Sequence, residues 1–388
     1  MTGLEERAEG SVTLSPSFSV SESYNDNLFF TETNREADFT TLVGPSLNLA
    51  YESQYLNFVG GYRGSAEFHA RHPEANRYAQ SASFGLGIPF LSHEIRGVDV
   101  RITEEITYAP EVPAYSFGKT QEEPGGATQI SQIQQTGGGI QVPRTDTFSN
   151  NAGLELGYTW LPRLRTTVSY ANIVTRYRGN ELHDSTTHQV GLKETYQWSP
   201  RTQWTNSYSV ALNIYEHANN EVVHRLSTGA AYQMSPSLSI NGSLGVGVVQ
   251  GNGNKTQLTL NTGLSKQFRN GIFSLSYTRE IGTGGGVVTA STLKQGVGME
   301  YSQNVGRNTS VYVRLGYVNN RSFSGEKLKI SSYTGETGIN VGVLPWLSGS
   351  LSYSYLNQQS LGTIGQDSQR NLVMLGLTAS APPWRIVK

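Results

Sequence analysis

The chain has no cysteine, and its charge is almost balanced, with 29 Lys and Arg against 30 Asp and Glu for a net charge of -1. It also has no run of about 18 consecutive apolar residues, the length a helix needs to cross a bilayer. Each absence excludes something. Without the apolar run there are no membrane-spanning helices, and without a basic excess there is no case for a nucleic-acid partner. The missing thiols suit a compartment reached through an oxidising space, where a free cysteine is a liability. Only 36% of residues are hydrophobic and mean hydropathy is -0.38, too polar for a helical membrane protein. No segment has the helical period that a second layer over a large soluble sheet would require.

What the sequence does contain is alternation. Val12, Leu14, Pro16, Phe18 and Val20 take every even position of 11–20, and a serine or threonine takes every odd one. Strand side chains point to opposite faces with period 2, so an apolar row backed by a small polar row is a sheet between oil and water. The pattern recurs: Leu56, Phe58, Gly60, Tyr62 and Phe68 oppose Asn57, Gly61, Arg63, Ser65 and Glu67, and Leu238, Ile240, Leu244, Val246 and Val248 oppose Ser239, Asn241, Ser243, Gly245 and Gly247. Only the outward half of each strand of a transmembrane β-barrel must be apolar, which reconciles a polar composition with a membrane.

Short turns rich in Pro, Gly and Asn fall near residues 52–53, 91–93, 161–163, 199–201, 235–237, 269–271, 305–307 and 344–346, and longer polar links separate them. Short turns at the periplasmic rim and longer extracellular loops are the asymmetry of outer-membrane barrels. The expected fold is all-β: a single antiparallel up-and-down transmembrane barrel of about 18 strands, both termini periplasmic. Residues 1–10 are expected to be a periplasmic tail, 11–380 the barrel with a long third outer loop at 109–146, and 381–388 a second periplasmic tail. Met1 to Gly10 is acidic with no apolar core, so the chain is expected to be a mature form that lacks its export signal.

Aromatics gather beside the short turns, among them Tyr51, Phe90, Tyr158, Trp160, Tyr196, Trp198, Trp204 and Trp346, as a headgroup-level girdle would. Parity sends Arg63, Glu67, Asp99, Arg101, Glu105, Glu155, Arg165, Lys193, Arg225, Glu280, Lys294, Glu300, Arg314 and Glu336 to the lumen. Their signs nearly cancel, so the wall has no single-sign field to select ions or phosphorylated solutes. Glu194 falls on outward parity near Trp198, which suggests a bulge or parity error. Tyr55, Tyr215 and Tyr312 are too scattered to form a sugar-stacking track.

The link 109–146 is too long for a hairpin connection, and loops of that length are usually functional or disordered. As the third outer loop it is expected to constrict the pore with Tyr115, Phe117, Gln129, Gln132 and Gln135, the alternative being a mobile surface loop. Gly284 to Gly286 reads as another flexible outer tip. No catalytic residue, cofactor or metal site is expected. The seven histidines form no HExxH or similar spacing, although His69 and His72 with Glu67, or His188 with Ser207, are conceivable pairings.

Residues 19–31, with Tyr24, Asn25, Asn27, Phe29 and Phe30 after the first strand, and the ending 371–384 resemble the β-barrel porin 2 family. Members of that family accompany exopolysaccharide synthesis and export loci. The resemblance implies an outer-membrane conduit for passive export of a secreted polysaccharide in a Gram-negative bacterium. Its partners would be the bilayer and lipopolysaccharide, the polysaccharide passenger and a periplasmic export component. Trp384 is followed by four further residues, a departure from barrels that end on an aromatic. The alternatives are a general or substrate-specific diffusion porin for small nutrients and a barrel sheath around a partner protein.

Overall fold

A computed structural model describes residues 10–109, 121–122, 128–129, 145–178, 182–216, 218–251, 253–283, 286–323, 328–362 and 365–387. Eighteen long strands follow one another in chain order. The first six are β1 (Ser11–Asn25), β2 (Asp38–Glu52), β3 (Asn57–His69), β4 (Arg77–Gly87), β5 (Val98–Ala109) and β6 (Thr147–Leu161). The next six are β7 (Leu164–Tyr177), β8 (Ser185–Ser199), β9 (Thr202–Tyr215), β10 (Glu221–Ser235), β11 (Leu238–Gln250) and β12 (Lys255–Phe268). The last six are β13 (Gly271–Thr283), β14 (Ser291–Asn304), β15 (Thr309–Ser322), β16 (Lys329–Leu344), β17 (Leu347–Ser360) and β18 (Ser368–Ser380).

Each strand pairs antiparallel with its sequence neighbours, and β1 also pairs with β18, from Ser17 opposite Ser380 to Asn25 opposite Leu372. The sheet is therefore closed and has no free edge, the condition for spanning hydrocarbon with strands. Strands of 11 to 16 residues at ~3.3 Å per residue and a tilt near 40° rise about 28–40 Å, enough for an apolar belt of ~25 Å.

Register confirms that each apolar row continues from strand to strand. Leu226 faces Val246, and Val246 faces Leu258, on one surface of the sheet. These outward leucines are wide open: Leu226 is 62% exposed and Leu258 60%. Leaving many such side chains in water would cost about 1.5–3 kcal/mol each, so this surface belongs in lipid. Aromatics pack in pairs beside the short turns, as with Tyr158 and Trp160 at 4.5 Å and Tyr196 and Trp198 at 6.1 Å between ring centroids.

Three local features depart from the sequence expectations. The link at 91–93 is not a tight turn but carries a six-residue helix, Pro89–Glu94, with proline in its first turn, where a missing N–H costs nothing. Residues 381–388 are not simply a tail: Trp384–Val387 pairs with β1, Leu14 opposite Trp384 and Ser11 opposite Val387, and lengthens the wall at the seam. Glu194 needs no bulge. It lies in regular register between Thr166 and Asn206, and the irregularity in β8 falls later, between Gln197 and Ser199.

Candidate functional site

The inner surface of the barrel is the concave face a solute would meet, and the cross-strand register defines what lines it. Ser17 faces Ser46, Ser46 faces Arg63, and Arg63 faces Ser81. Glu67 faces Arg77, Glu105 faces Ser83 and Asn151, and Arg101 faces Glu155. Lys193 stands between Thr167 and Ser207, Arg225 between Ser209 and Gly247, and Glu280 faces Lys294. Glu300, Arg314 and Glu336 follow one another across β14, β15 and β16.

Several of these charges are held in pairs. The Arg165 Nη2 donates to Asp99 Oδ2 at 2.6 Å, reaching across β6 from β7 to β5. The intervening residue is Gly157, where a Cβ would collide with both Asp99 Oδ1 and Arg165 Nη2. Arg314 sits 3.1 Å from Glu300 and 3.5 Å from Glu336, with its guanidinium 4.5 Å from the Tyr312 ring centroid. The Tyr312 hydroxyl donates to Glu336 at 2.7 Å. Among the described residues, Arg63, Arg101 and Lys193 make no ion pair within 4.0 Å, and neither do Glu105 and Glu155.

The bore is obstructed at its long-loop end by the hairpin of β13 and β14. β13 pairs with β12 only from Gly271 to Arg279, whereas its pairing with β14 continues to Thr283 opposite Ser291. Freed from the wall, the end of the hairpin folds over the inner surface of β9, β10 and β11. Ile281, only 3% exposed, packs on Ala211, Val223 and Val249. Gly247 makes this possible, since a Cβ there would collide with Ile281 Cδ1. Arg225 Nη2 donates to the Ile281 carbonyl at 3.0 Å, and the Ser291 N–H donates to Glu221 Oε2 at 2.7 Å. Lys294 lies 3.5 Å from Glu280 and is almost fully covered.

Residues 286–290, in the seventh loop of the long-loop end, reach across the bore. Val288 is buried with Leu328 and Ile330, and Tyr177 and Leu182 pack against the same cluster. Tyr177 ends β7 and Ile330 begins β16, nine strands apart in a ring of eighteen. The His183 N–H donates to the Gly286 carbonyl at 2.8 Å. Gly286 has φ +82°, and a Cβ there would stand 2.5 Å from Tyr177 Cε2, so backbone angle and space both demand glycine. The first loop also turns inward: Phe30 is buried against Leu356, and the Arg370 guanidinium lies 5.6 Å from its ring centroid. Asn27 ties this loop to β18 through Ser368 Oγ at 3.1 Å and the Gln369 carbonyl at 2.9 Å.

The third loop offers no comparable description. Tyr115, Phe117, Gln132 and Gln135 lie outside the described residues, and of Gln129 only its backbone pairing with Gln121 is defined. Gly286, read from sequence as part of an outer tip, belongs instead to the ordered obstruction. Tyr55 is not a wall residue but lies in the turn at 53–56, beside Phe90. His188 and Ser207 cannot form a catalytic pair: His188 faces Leu212 on the outward surface, whereas Ser207 faces Lys193 on the inner one. His69 and His72 do not converge on Glu67. His69 turns toward Thr40, Asp38 and Glu67, and His72 toward Glu36 and Glu74. Sequence parity also passed over inner charges near the rim: Arg77 and Glu221, whose positions it read as part of the longer links, and Arg370.

The chain is similar in structure to OccAB3 of Acinetobacter baumannii, with a TM-score of 0.51 and 10% identity over 97% of this chain and 99% of that one. The fold is that of an outer-membrane porin. Together with the closed sheet and its apolar belt, it places the chain in an outer membrane. The outer membrane protein opdK of Pseudomonas aeruginosa aligns with a TM-score of 0.47 and 11% identity over 98% of this chain and 100% of that one. No protein-family model and no curated protein matches the sequence.

Proposed function

We propose that this barrel is a selective diffusion channel for small hydrophilic solutes, and that the inward-folded β13–β14 hairpin sets the size of what passes. The observation that carries this reading is the cluster of Val288 with Leu328, Ile330 and Tyr177, which joins opposite walls of the bore. A polymer chain needs a continuous wide passage, and a hairpin packed across the lumen works against one. Polysaccharide export, the reading drawn from the family resemblance, is therefore the less favoured of the two. The lumenal charges and the Ser, Thr and Asn between them offer weak, exchangeable hydrogen bonds of both polarities. Such a wall suits an uncharged or zwitterionic solute better than a strong anion or cation.

The experiment is single-channel conductance of the refolded protein in a planar bilayer, beside a variant whose residues 284–290 are replaced by a two-residue turn. Low conductance that rises severalfold in the variant, with swelling assays that admit monosaccharides but not long oligosaccharides, is the expected result. High conductance in the intact chain, blocked by long neutral oligosaccharides, would establish the polysaccharide conduit instead.

A further inference from the structure

The outward surface is largely apolar; Arg279 on β13 turns its guanidinium to the Leu258 carbonyl and Gln257, and the Tyr353 hydroxyl donates to Asn371 on β18, but the carboxylates deep in the belt gather on one arc. Among the described strand residues, three carboxylates have outward parity: Glu22, Glu104 and Glu194. Glu22 lies three residues from the long-loop end of β1, near headgroup level. Glu104 and Glu194 lie well inside the belt, six residues from the start of β5 and five from the end of β8.

Neither carboxylate stands alone. Glu104 accepts from Asn150 Nδ2 on β6. On β7 and β8, His188 Nδ1 is 2.9 Å from the Tyr170 hydroxyl and 3.2 Å from Asn172 Nδ2. Nearer the short turns, Asn206 Nδ2 lies 3.5 Å from Glu194, and Asn206 Oδ1 accepts from Thr228 at 2.8 Å and from Trp204 Nε1 at 3.3 Å. On β9 and β10 the Tyr208 hydroxyl lies 2.9 Å from His224 Nδ1, repeating the Tyr170–His188 pairing. The groups form a polar band across β5 to β10, with Glu104, Asn150, Asn172 and His188 nearer the long loops, Glu194, Asn206 and Thr228 nearer the short turns, and Tyr170, Tyr208 and His224 between them among the exposed Leu156, Val168, Val190 and Leu192.

Hydrocarbon gives such groups no partner, and a carboxylate on a lipid-facing position is rare unless something polar covers it. We propose that the outward face of β5–β10 packs against the same face of a second copy of this chain. Three features point to a second copy. The face carries acceptors, Glu104 and Glu194, and donors, Asn150, Asn172, His188 and Asn206, so it complements itself about a two-fold axis. An axis along the membrane normal keeps each group at its own depth, so the polar band, which slants across the tilted strands, crosses the band of the second copy near the centre of the face. Six strands spaced ~4.8 Å apart across tilted walls and a belt ~25 Å tall present roughly 600–900 Å² per copy, against about 800 Å² per partner in a stable interface.

The absence of native cysteine makes the test direct. Single cysteines are introduced as Leu192→Cys on β8 and, as a control on the far side, Leu375→Cys on β18, and each chain is reconstituted in bilayers. The proposal expects oxidation to link Leu192→Cys chains into dimers and to leave Leu375→Cys chains single. A fluorophore on position 192 should be quenched by brominated lipid severalfold less than one on 375. Adding Glu104→Leu and Glu194→Leu to the Leu192→Cys chain, its barrel verified by heat-modifiable gel mobility, should reduce cross-linking at position 192 severalfold. Equal quenching at the two positions with no cross-link would overturn the proposal by placing the face in lipid. Shielding at 192 in a chain that stays monomeric would also overturn it, since some other molecule would then cover the arc.

Discussion

Replacing Ile281 by alanine should loosen the obstruction without disturbing the barrel. Ile281 is the hairpin side chain buried among Ala211, Val223 and Val249, and its residue leaves the wall just beyond the last β12–β13 pair, Leu260 with Arg279. Truncating a buried isoleucine costs about 2–5 kcal/mol. The low end applies here, because the pocket is a wall surface and the hairpin can resettle on it. Two anchors survive the substitution, Arg225 on the residue 281 carbonyl and the Ser291 N–H on Glu221. A loss of about 2 kcal/mol shifts a docked–undocked equilibrium by roughly 30-fold. In single-channel recordings the Ile281→Ala protein should show high-conductance openings that are rare in the parent, with total open time raised by at least about tenfold. Leu275→Ala, lower on the same strand and facing outward opposite Leu264, serves as control and should leave gating unchanged. If Ile281→Ala folds, as judged by heat-modifiable mobility, and its dwell times match the parent within about threefold, the hairpin does not control the passage and the reasoning fails.

Three further outcomes follow from the same geometry. Glu221→Ala removes the acceptor of a buried N–H, at a cost of about 1–3 kcal/mol, and should raise open time in the same direction as Ile281→Ala, read in the same recordings. Arg314→Gln leaves Glu300 and Glu336 without the cation between them, so reversal potentials in a KCl gradient should move toward cation preference, with a permeability ratio changed on the order of twofold. Gly157→Val drives a side chain into Asp99 and Arg165 and should cost about 1–3 kcal/mol, seen as a lower urea midpoint with conductance little altered.

The wall was legible because a strand's period is short and local. Runs such as Val12 to Val20, or Leu238 to Val248, state which face meets lipid, and one face in lipid forbids a slipped register. The strand number emerged from counting turns, since most of the short reversals carry a Pro, Gly or Asn, as at 161–163, 199–201, 235–237, 269–271, 305–307 and 344–346. The obstruction was not legible in the same way, because its contacts join β13 to β9–β11 and the seventh loop to β7 and β16. Nothing in a local window reports such distances. A signal was nonetheless present: Ala211, Val223, Val249, Ile330 and Leu356 are apolar residues on the inner parity near the long-loop ends of their strands. An apolar patch on a wetted wall requires a cover, and Ile281, Val288 and Phe30 supply it. The final strand Trp384–Val387 was missed because Pro382 and Pro383 break the pattern before it resumes. Glu194 was read as an error of parity because a lipid-facing carboxylate is costly; the register is regular, and the cost points to what covers that arc.

The most direct test of the central claim fixes the seventh loop in place and watches the current. In the Ile281→Ala background, Val288→Cys and Leu328→Cys join two side chains that share one buried cluster, in a chain that otherwise has no thiol. Oxidation should abolish the high-conductance openings and a reductant should restore them. Large openings that persist in a chain whose disulfide is verified by mass would contradict the account, because the loop would then be bound at its place in the structure and the bore would still be open.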